Sequence, residues 1–258
     1  ENKYLSQEFN DHKHKFVKTG NTRIDVFRDQ NIKIFESEAN QIKKKYGSFC
    51  LFLGIFGRVN NANLKDENEF VDNLVKEGTL KKHTKEHEFV QNSLLTQKKV
   101  FEELPNFVEM FSKHFPERKM IIRPHPTEIL ESYKKIIKDV KNVIMVADDS
   151  NAISWVKAAD FSISSNCTTS VEAYLSKKLS INFWPFNDQD DQRMYLPTKV
   201  ALQTKSSDET IKLIEKLYSN DNFNVSNYLD LDDVNKELQK SFYNYESSTC
   251  SVSEVLKY

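Results

Sequence analysis

The segment Ile121-Ile122-Arg123-Pro124-His125-Pro126-Thr127-Glu128 places an arginine and a histidine between prolines where an apolar run ends. Each proline fixes its own φ, so His125 is held with little further loss of backbone freedom. The spacing predicts a strand ending near Arg123 and a helix beginning at about Thr127. A histidine beside an arginine and a helix N-terminus suits a phosphate oxygen. Without that chemistry, Pro-His-Pro is a rigid turn and Glu128 a favourable first-turn carboxylate.

A second constellation runs from Ser162 to Ala173, where a short apolar strand enters Ser164-Ser165-Asn166-Cys167-Thr168-Thr169 and then a helix carrying Glu172. Free backbone N–H groups with Ser, Thr and Asn side chains make an anion cradle that needs no positive charge. The same residue types also cap helices, so an ordinary N-cap is the competing reading. A third candidate is Gly54-Ile55-Phe56-Gly57-Arg58-Val59-Asn60-Asn61. Gly54 and Gly57 allow close backbone approach, and Arg58 or the pair Asn60 and Asn61 could reach an anion or a sugar hydroxyl. The spacing is neither a P-loop nor a dinucleotide fingerprint. In Asp148-Asp149-Ser150-Asn151 the adjacent carboxylates could take a metal or a ribose, but helix capping is preferred, and no metal site is assigned. His83 and His87 stand four apart without a metalloprotease pattern and read as part of a solvated face. His12 and His14 carry little information.

These loops need a scaffold. Short apolar runs at Ser48–Leu53, Met120–Ile122, Val143–Val146, Phe161–Ile163 and Leu179–Phe183 read as buried strands. Amphipathic stretches separate them: Phe89–His114, interrupted near Pro105; Thr127–Lys138; Ala152–Ala158; and Thr168–Leu175. Thr210–Tyr218 and Val234–Phe242 read as closing helices. The alternation predicts an α/β doubly wound parallel sheet, Rossmann-like, with ligands outside the carboxyl ends of its strands. The expected organisation is an N-terminal segment and connection over 1–46, the Rossmann-like domain over 47–205 and closing helices over 206–258.

Charge narrows the partners. The chain has 37 Lys+Arg against 38 Asp+Glu over 258 residues, for a formal net charge of -1. That balance argues against a general nucleic-acid binder. Lys43-Lys44-Lys45 and Lys81-Lys82 could help at an anionic membrane surface, although a solvated helix face is the preferred reading of each. Cys50, Cys167 and Cys250 have no paired spacing and fit a reducing compartment. With no long apolar run and no signal-peptide pattern, the expected location is cytoplasmic.

Taken in order, Arg-Pro-His-Pro, Asp-Asp-Ser with Trp155 before Ala159-Asp160, Ser-Asn-Cys-Thr-Thr-Ser and Glu172-Ala173 resemble bacterial surface-carbohydrate biosynthesis proteins. These are similar to GT-B-type transferases of capsule and wall polymers, including Kdo and sialic-acid transferases with a His-Pro motif and CDP-glycerol transferases. Thr19-Gly20-Asn21-Thr22-Arg23-Ile24-Asp25 resembles the segment joining the two halves of that group. The likeness covers roughly Phe16 to Pro185.

The resemblance implies the C-terminal, donor-binding half of a GT-B fold. Its substrate would be a CMP- or CDP-linked sugar donor, with a glycan or lipid-linked acceptor, work at the inner face of the membrane and no further cofactor. Carried over, His125 with Pro126 of the His-Pro motif would contact the donor phosphate, joined by Ser164, Ser165, Asn166, Thr168 and Thr169. Glu172 would meet the ribose or buttress the loop, Arg123 would neutralise the leaving group, and Asp25 would be a cleft carboxylate acting as base or nucleophile. The chain departs from the family at Lys177-Lys178-Leu179, where a Gly-x-Pro is usual. Few residues precede the Gly20 segment, which leaves three readings open: a fragment of a longer protein, an acceptor site supplied by a partner, or a chain that is not an active transferase. A sugar-nucleotide 2-epimerase on the same fold, or a non-catalytic module of a polysaccharide assembly, is the alternative.

Overall fold

A computed structural model describes residues 21–186, 192–219 and 223–242. The chain divides into two compact units, residues 35–229 and residues 1–34 with 230–258.

The larger unit is built on a parallel sheet of six strands. These are β1 (Cys50–Leu53), β2 (Met120–Arg123), β3 (Val143–Met145), β4 (Ser162–Ser164), β5 (Ser180–Phe183) and β6 (Leu202–Thr204). Their order is β3-β2-β1-β4-β5-β6. The chain winds outward from β1 in one direction and from β4 in the other, so the winding reverses between β1 and β4. Register across that junction pairs Leu51 with Ser162 and Leu53 with Ser164.

Strand side chains alternate between the faces, and each face has its own core. Leu51 and Leu53 join Phe49, Ile121 and Trp155 in a buried cluster with Ala39 and Ile42 of α2 (Glu36–Tyr46) and Val156 of α6 (Ala152–Ala158). Phe52 points the other way, 6.2 Å from Phe107 of α4 (Lys85–His114) and 6.4 Å from Phe183 by ring centroids. On that second face α4 packs against α5 (Leu130–Ile137) and α9 (Ser207–Ser219), while α7 (Thr169–Leu175) packs between α6 and α8 (Tyr195–Val200) on the first. Helix α3 (Glu67–Lys76) packs against α4 in the β1–β2 crossover. Helices on both faces of a parallel sheet make the expected doubly wound architecture.

Several local expectations change. Helix α4 runs unbroken through Pro105. Proline removes one hydrogen bond there, but Leu104, Phe107 and Val108 beside it are fully buried, and that packing outweighs the loss. Helix α5 starts at Leu130 rather than Thr127, because Glu128 is drawn inward as a buried side chain. Strand β6 and helix α8 were not foreseen. Helices α2 and α9, placed by the sequence in flanking segments, cover the sheet.

In the smaller unit, α1 (Thr22–Asp25) is capped by Asn21, which accepts from Arg23 N–H, and α10 (Leu231–Ser241) is capped by Asp230. Phe16–Gly20, His12, His14 and Cys250 lie outside the described residues. Among the described residues, no helix is long and apolar enough to cross a membrane, and no group of three or more His, Cys, Asp or Glu could hold a metal ion.

Candidate functional site

The loops after β1 and β2 are sewn into one platform. Gly54 N–H donates to Arg123 O at 3.1 Å, Ala62 N–H to Thr127 O at 3.0 Å and Ile129 N–H to Asn60 O at 3.1 Å. Asn60 is buried, donating from Nδ2 to Ile129 O at 3.2 Å and accepting from Ser132 Oγ at 2.9 Å. Beneath them Glu128, 3 % exposed, accepts from Phe56 N–H at 2.6 Å and from the Tyr133 hydroxyl. Burial pushes its carboxyl up to about 7, against the lowering effect of these donors.

The two glycines serve this platform. A Cβ on Gly54 would stand 2.6 Å from the Tyr133 hydroxyl and 2.8 Å from Glu128 Oε2, and one on Gly57 would stand 2.5 Å from Thr127 Oγ1. The close approach foreseen for them is therefore made by the neighbouring loop. Arg58 lies over the Phe70 ring, its guanidinium carbon 5.5 Å from the centroid. Asn60 faces inward rather than toward a ligand.

His125 stands exposed at the platform's edge. Its Nδ1 accepts from Thr127 N–H at 3.3 Å and lies 2.9 Å from Thr127 Oγ1. In the neutral ring the proton is thereby assigned to Nε2, whose N–H is left to donate outward. Arg123 turns the other way. Its Nη2 donates to Asp148 O at 3.2 Å and to Ser150 O, and sits 3.7 Å from the Asp148 carboxylate. The guanidinium thus braces the loop after β3, and neutralising a leaving group would require breaking those bonds. That loop is held further by Trp155 Nε1–H donating to Ser150 Oγ at 2.6 Å, and by Ser150 donating to Asp148. Asn151 caps α6 by accepting from Ile153 N–H at 2.9 Å. Between the loops after β2 and β3 lies a cleft of about 460 Å³ lined by His125, Arg123, Leu130, Asp148 and Asp149 among others.

On the far side of β1, the loop after β4 divides its polar residues. Ser164 is fully buried with its hydroxyl 2.9 Å from that of Ser170, which also accepts from Ser180 at 3.2 Å. These hydroxyls join strand to helix beneath the loop. Ser165 is also buried. Asn166 adopts φ 52°, a left-handed conformation that Asn tolerates better than most residues. Its N–H donates to Asn182 Oδ1 at 2.7 Å, Nδ2 donates to Gln192 O at 3.0 Å, and Oδ1 accepts from Met194 N–H at 2.5 Å. Asn166 therefore shapes the loop. Thr168 is exposed, and neither its N–H nor that of Cys167 is hydrogen-bonded among the described residues. Among the described residues Thr169 N–H reaches only Cys167 Sγ, at 3.4 Å. Glu172 is buried in the first turn of α7.

The sheet brings the His125 loop, the Gly54–Gly57 loop and the Ser165–Thr169 loop to one edge, in that order. It does not put His125 and Thr168 side by side, because β1 stands between their strands. Asp25 belongs to the smaller unit, ion-paired to Arg28 at 2.8 Å. Sequence reasoning missed Asn182, which accepts from Asn166 N–H and donates to Gln203 at 2.9 Å. Its signal was an amide inside an otherwise apolar strand. It also missed Glu128 as a buried clamp, whose partner Phe56 lies 72 positions earlier.

No protein-family model matches the chain, and no curated protein sequence is significantly similar to it. Solved structures do share its fold. UDP-GlcNAc 2-epimerase from Methanocaldococcus jannaschii matches with a TM-score of 0.51 at 13% identity, over 93% of this chain and 59% of that one. The same epimerase solved with UDP-GlcNAc and UDP gives 0.48 at 15% identity, over 95% and 54%. The chain thus spans less than two thirds of the length of these neighbours, and the first of them, together with the sheet order, makes the fold Rossmann-like and of the GT-B type.

Proposed function

We propose that the larger unit binds a nucleotide-activated sugar along the carboxyl edge of its sheet, as the donor-binding part of a glycosyltransferase of bacterial surface-polysaccharide biosynthesis. The observation that carries this reading is the reversal of winding between β1 and β4. Open α/β sheets bind ligands in the crevice at such a point. Here one wall of the crevice offers the N–H groups of Cys167 and Thr168, unbonded among the described residues, and the other is the rigid platform carrying the outward Nε2–H of His125. Both are preorganised donors of the kind that stabilise a departing phosphate.

The spacing of the walls refines the donor. Adjacent strands lie about 4.8 Å apart, so β2 and β4 leave roughly 10 Å between the loops they feed. One phosphate is too small to meet both. Two linked phosphates with a hydrogen bond at each end fit, which favours CDP-linked over CMP-linked sugars. Glu172 and Ser164 act in this reading as supports of the loop, and the acceptor, a glycan or a lipid-linked sugar, is met elsewhere in the assembled enzyme.

The test is thermal-shift titration of the chain with CMP, CDP, UDP and GDP. A selective rise with a nucleoside diphosphate, reduced in His125→Ala, is the expected result; no shift with any nucleotide overturns the donor site. The fold it shares with an epimerase supports a second reading, a sugar-nucleotide 2-epimerase. Inversion at C2 of UDP-GlcNAc on incubation with the chain would select it over the transferase.

A further inference from the structure

The cleft between the loops after β2 and β3 lies away from the β1–β4 crevice and has a different character. Its volume of about 460 Å³ is that of a small-ligand site rather than of a trapped water. Pro124, Pro126, Ile129 and Leu130 give it an apolar side, with Ile129 37% and Leu130 36% exposed. His125 and Asp149 give it polar groups of opposite kind.

The charges there are already largely spent. Arg123 is committed to Asp148 and to the backbone of 148–150. Asp148 takes Ser150 N–H at 3.2 Å as well as the Ser150 hydroxyl. Asp149 is exposed and makes no hydrogen bond or ion pair with any described residue. An unpaired carboxylate with no free arginine or lysine lining the cleft disfavours a phosphate. It suits hydroxyl groups, which donate to a carboxylate. Aliphatic side chains and prolines match the C–H face of a sugar ring.

We propose that this cleft is the subsite for an uncharged, hydroxyl-bearing sugar ring, with Asp149 accepting from its hydroxyls and Pro126, Ile129 and Leu130 facing its C–H side. The proposal deepens the nucleotide-sugar reading and rests on it for the source of the ring. His125 then stands at the border between phosphate crevice and sugar cleft, where the bond to be broken would lie. The same chemistry is presented by the sugar of the donor and by a free acceptor sugar.

Ligand-observed saturation-transfer NMR on the full chain separates these, with UDP-N-acetylglucosamine, free N-acetylglucosamine and UDP as probes. The variants are Asp149→Asn, exposed and therefore safe for folding, and Leu130→Asp, which places a charge on the apolar side. The expected result is saturation of sugar-ring protons that weakens about tenfold in Asp149→Asn, the size of one hydrogen bond to a charged acceptor, with uridine protons unchanged. Ring signals from the linked sugar alone identify the donor as the source; ring signals from free N-acetylglucosamine identify an acceptor. Ring signals indifferent to both variants overturn the subsite. So does the absence of any ring signal in the unmodified chain, and uridine signals persisting in that sample show that the nucleotide reading survives.

Discussion

Glu128 is the residue on which the platform turns, and its burial sets a pH signature. Its carboxyl is raised by desolvation from an ordinary 4.5 to about 7. The folded state therefore holds a proton that the unfolded chain has released, and this contribution is full below about pH 4.5 and lost as pH rises through 7. The whole effect is of the order of 3 kcal/mol. Glu128→Gln keeps an acceptor for Phe56 N–H and removes the ionisation. Thermal unfolding followed from pH 5 to 8 is expected to show the unmodified chain losing stability relative to Glu128→Gln across that range; parallel curves would refute the assignment. Gly54 tests the same packing by sterics. Its Cβ would enter the space of the Tyr133 hydroxyl at 2.6 Å, so Gly54→Ala should cost about 1–3 kcal/mol. Tyr133→Phe removes the obstructing oxygen, and denaturant unfolding of the double variant should recover part of that loss.

At the scale of elements, legibility followed burial. Strands β1, β2 and β5 are covered on both faces and so read as apolar runs, and the sequence located them to within about two residues. Strand β6, Leu-Gln-Thr at the sheet's edge, has too short a pattern to stand out. The loops were legible as places where chemistry could occur, but the duties of their residues were not. Those depend on partners distant in the chain: Arg123 with Ser150, Asn166 with Asn182, Gly54 with Tyr133. Asn182 gives the element-scale prediction. Asn182→Ala leaves Asn166 N–H and Gln203 Oε1 without these partners, at about 1–3 kcal/mol. Because Asn166 positions the donors of the β4 loop, nucleotide affinity should fall by more than in a variant of equal stability loss on the opposite face, such as Val108→Ala in α4. Matched calorimetric titrations of the two variants decide it.

The whole sheet fixes how far apart the loops after β2 and β4 stand, and on the proposed reading the donor preference follows from that topology. In the order β3-β2-β1-β4-β5-β6, the histidine loop leaves β2 and the N–H cradle leaves β4, with β1 between them. On the proposed reading, a nucleoside monophosphate seated at the β4 loop would not reach His125, whereas a diphosphate would. Two quantities follow from that separation. CDP should bind at least about tenfold more tightly than CMP, the gain of a charge-assisted hydrogen bond at the second phosphate. His125→Ala should remove that advantage, bringing CDP down to the affinity of CMP while leaving CMP itself unchanged. Titration calorimetry of both nucleotides against both proteins measures all four affinities, and the cycle isolates the coupling between His125 and the second phosphate. If the substitution weakens CMP and CDP equally, His125 and the β4 loop meet on the same phosphate, and the spacing argument fails. If it weakens neither, the histidine faces the sugar cleft alone, and the diphosphate is held by the cradle and the β1 loop.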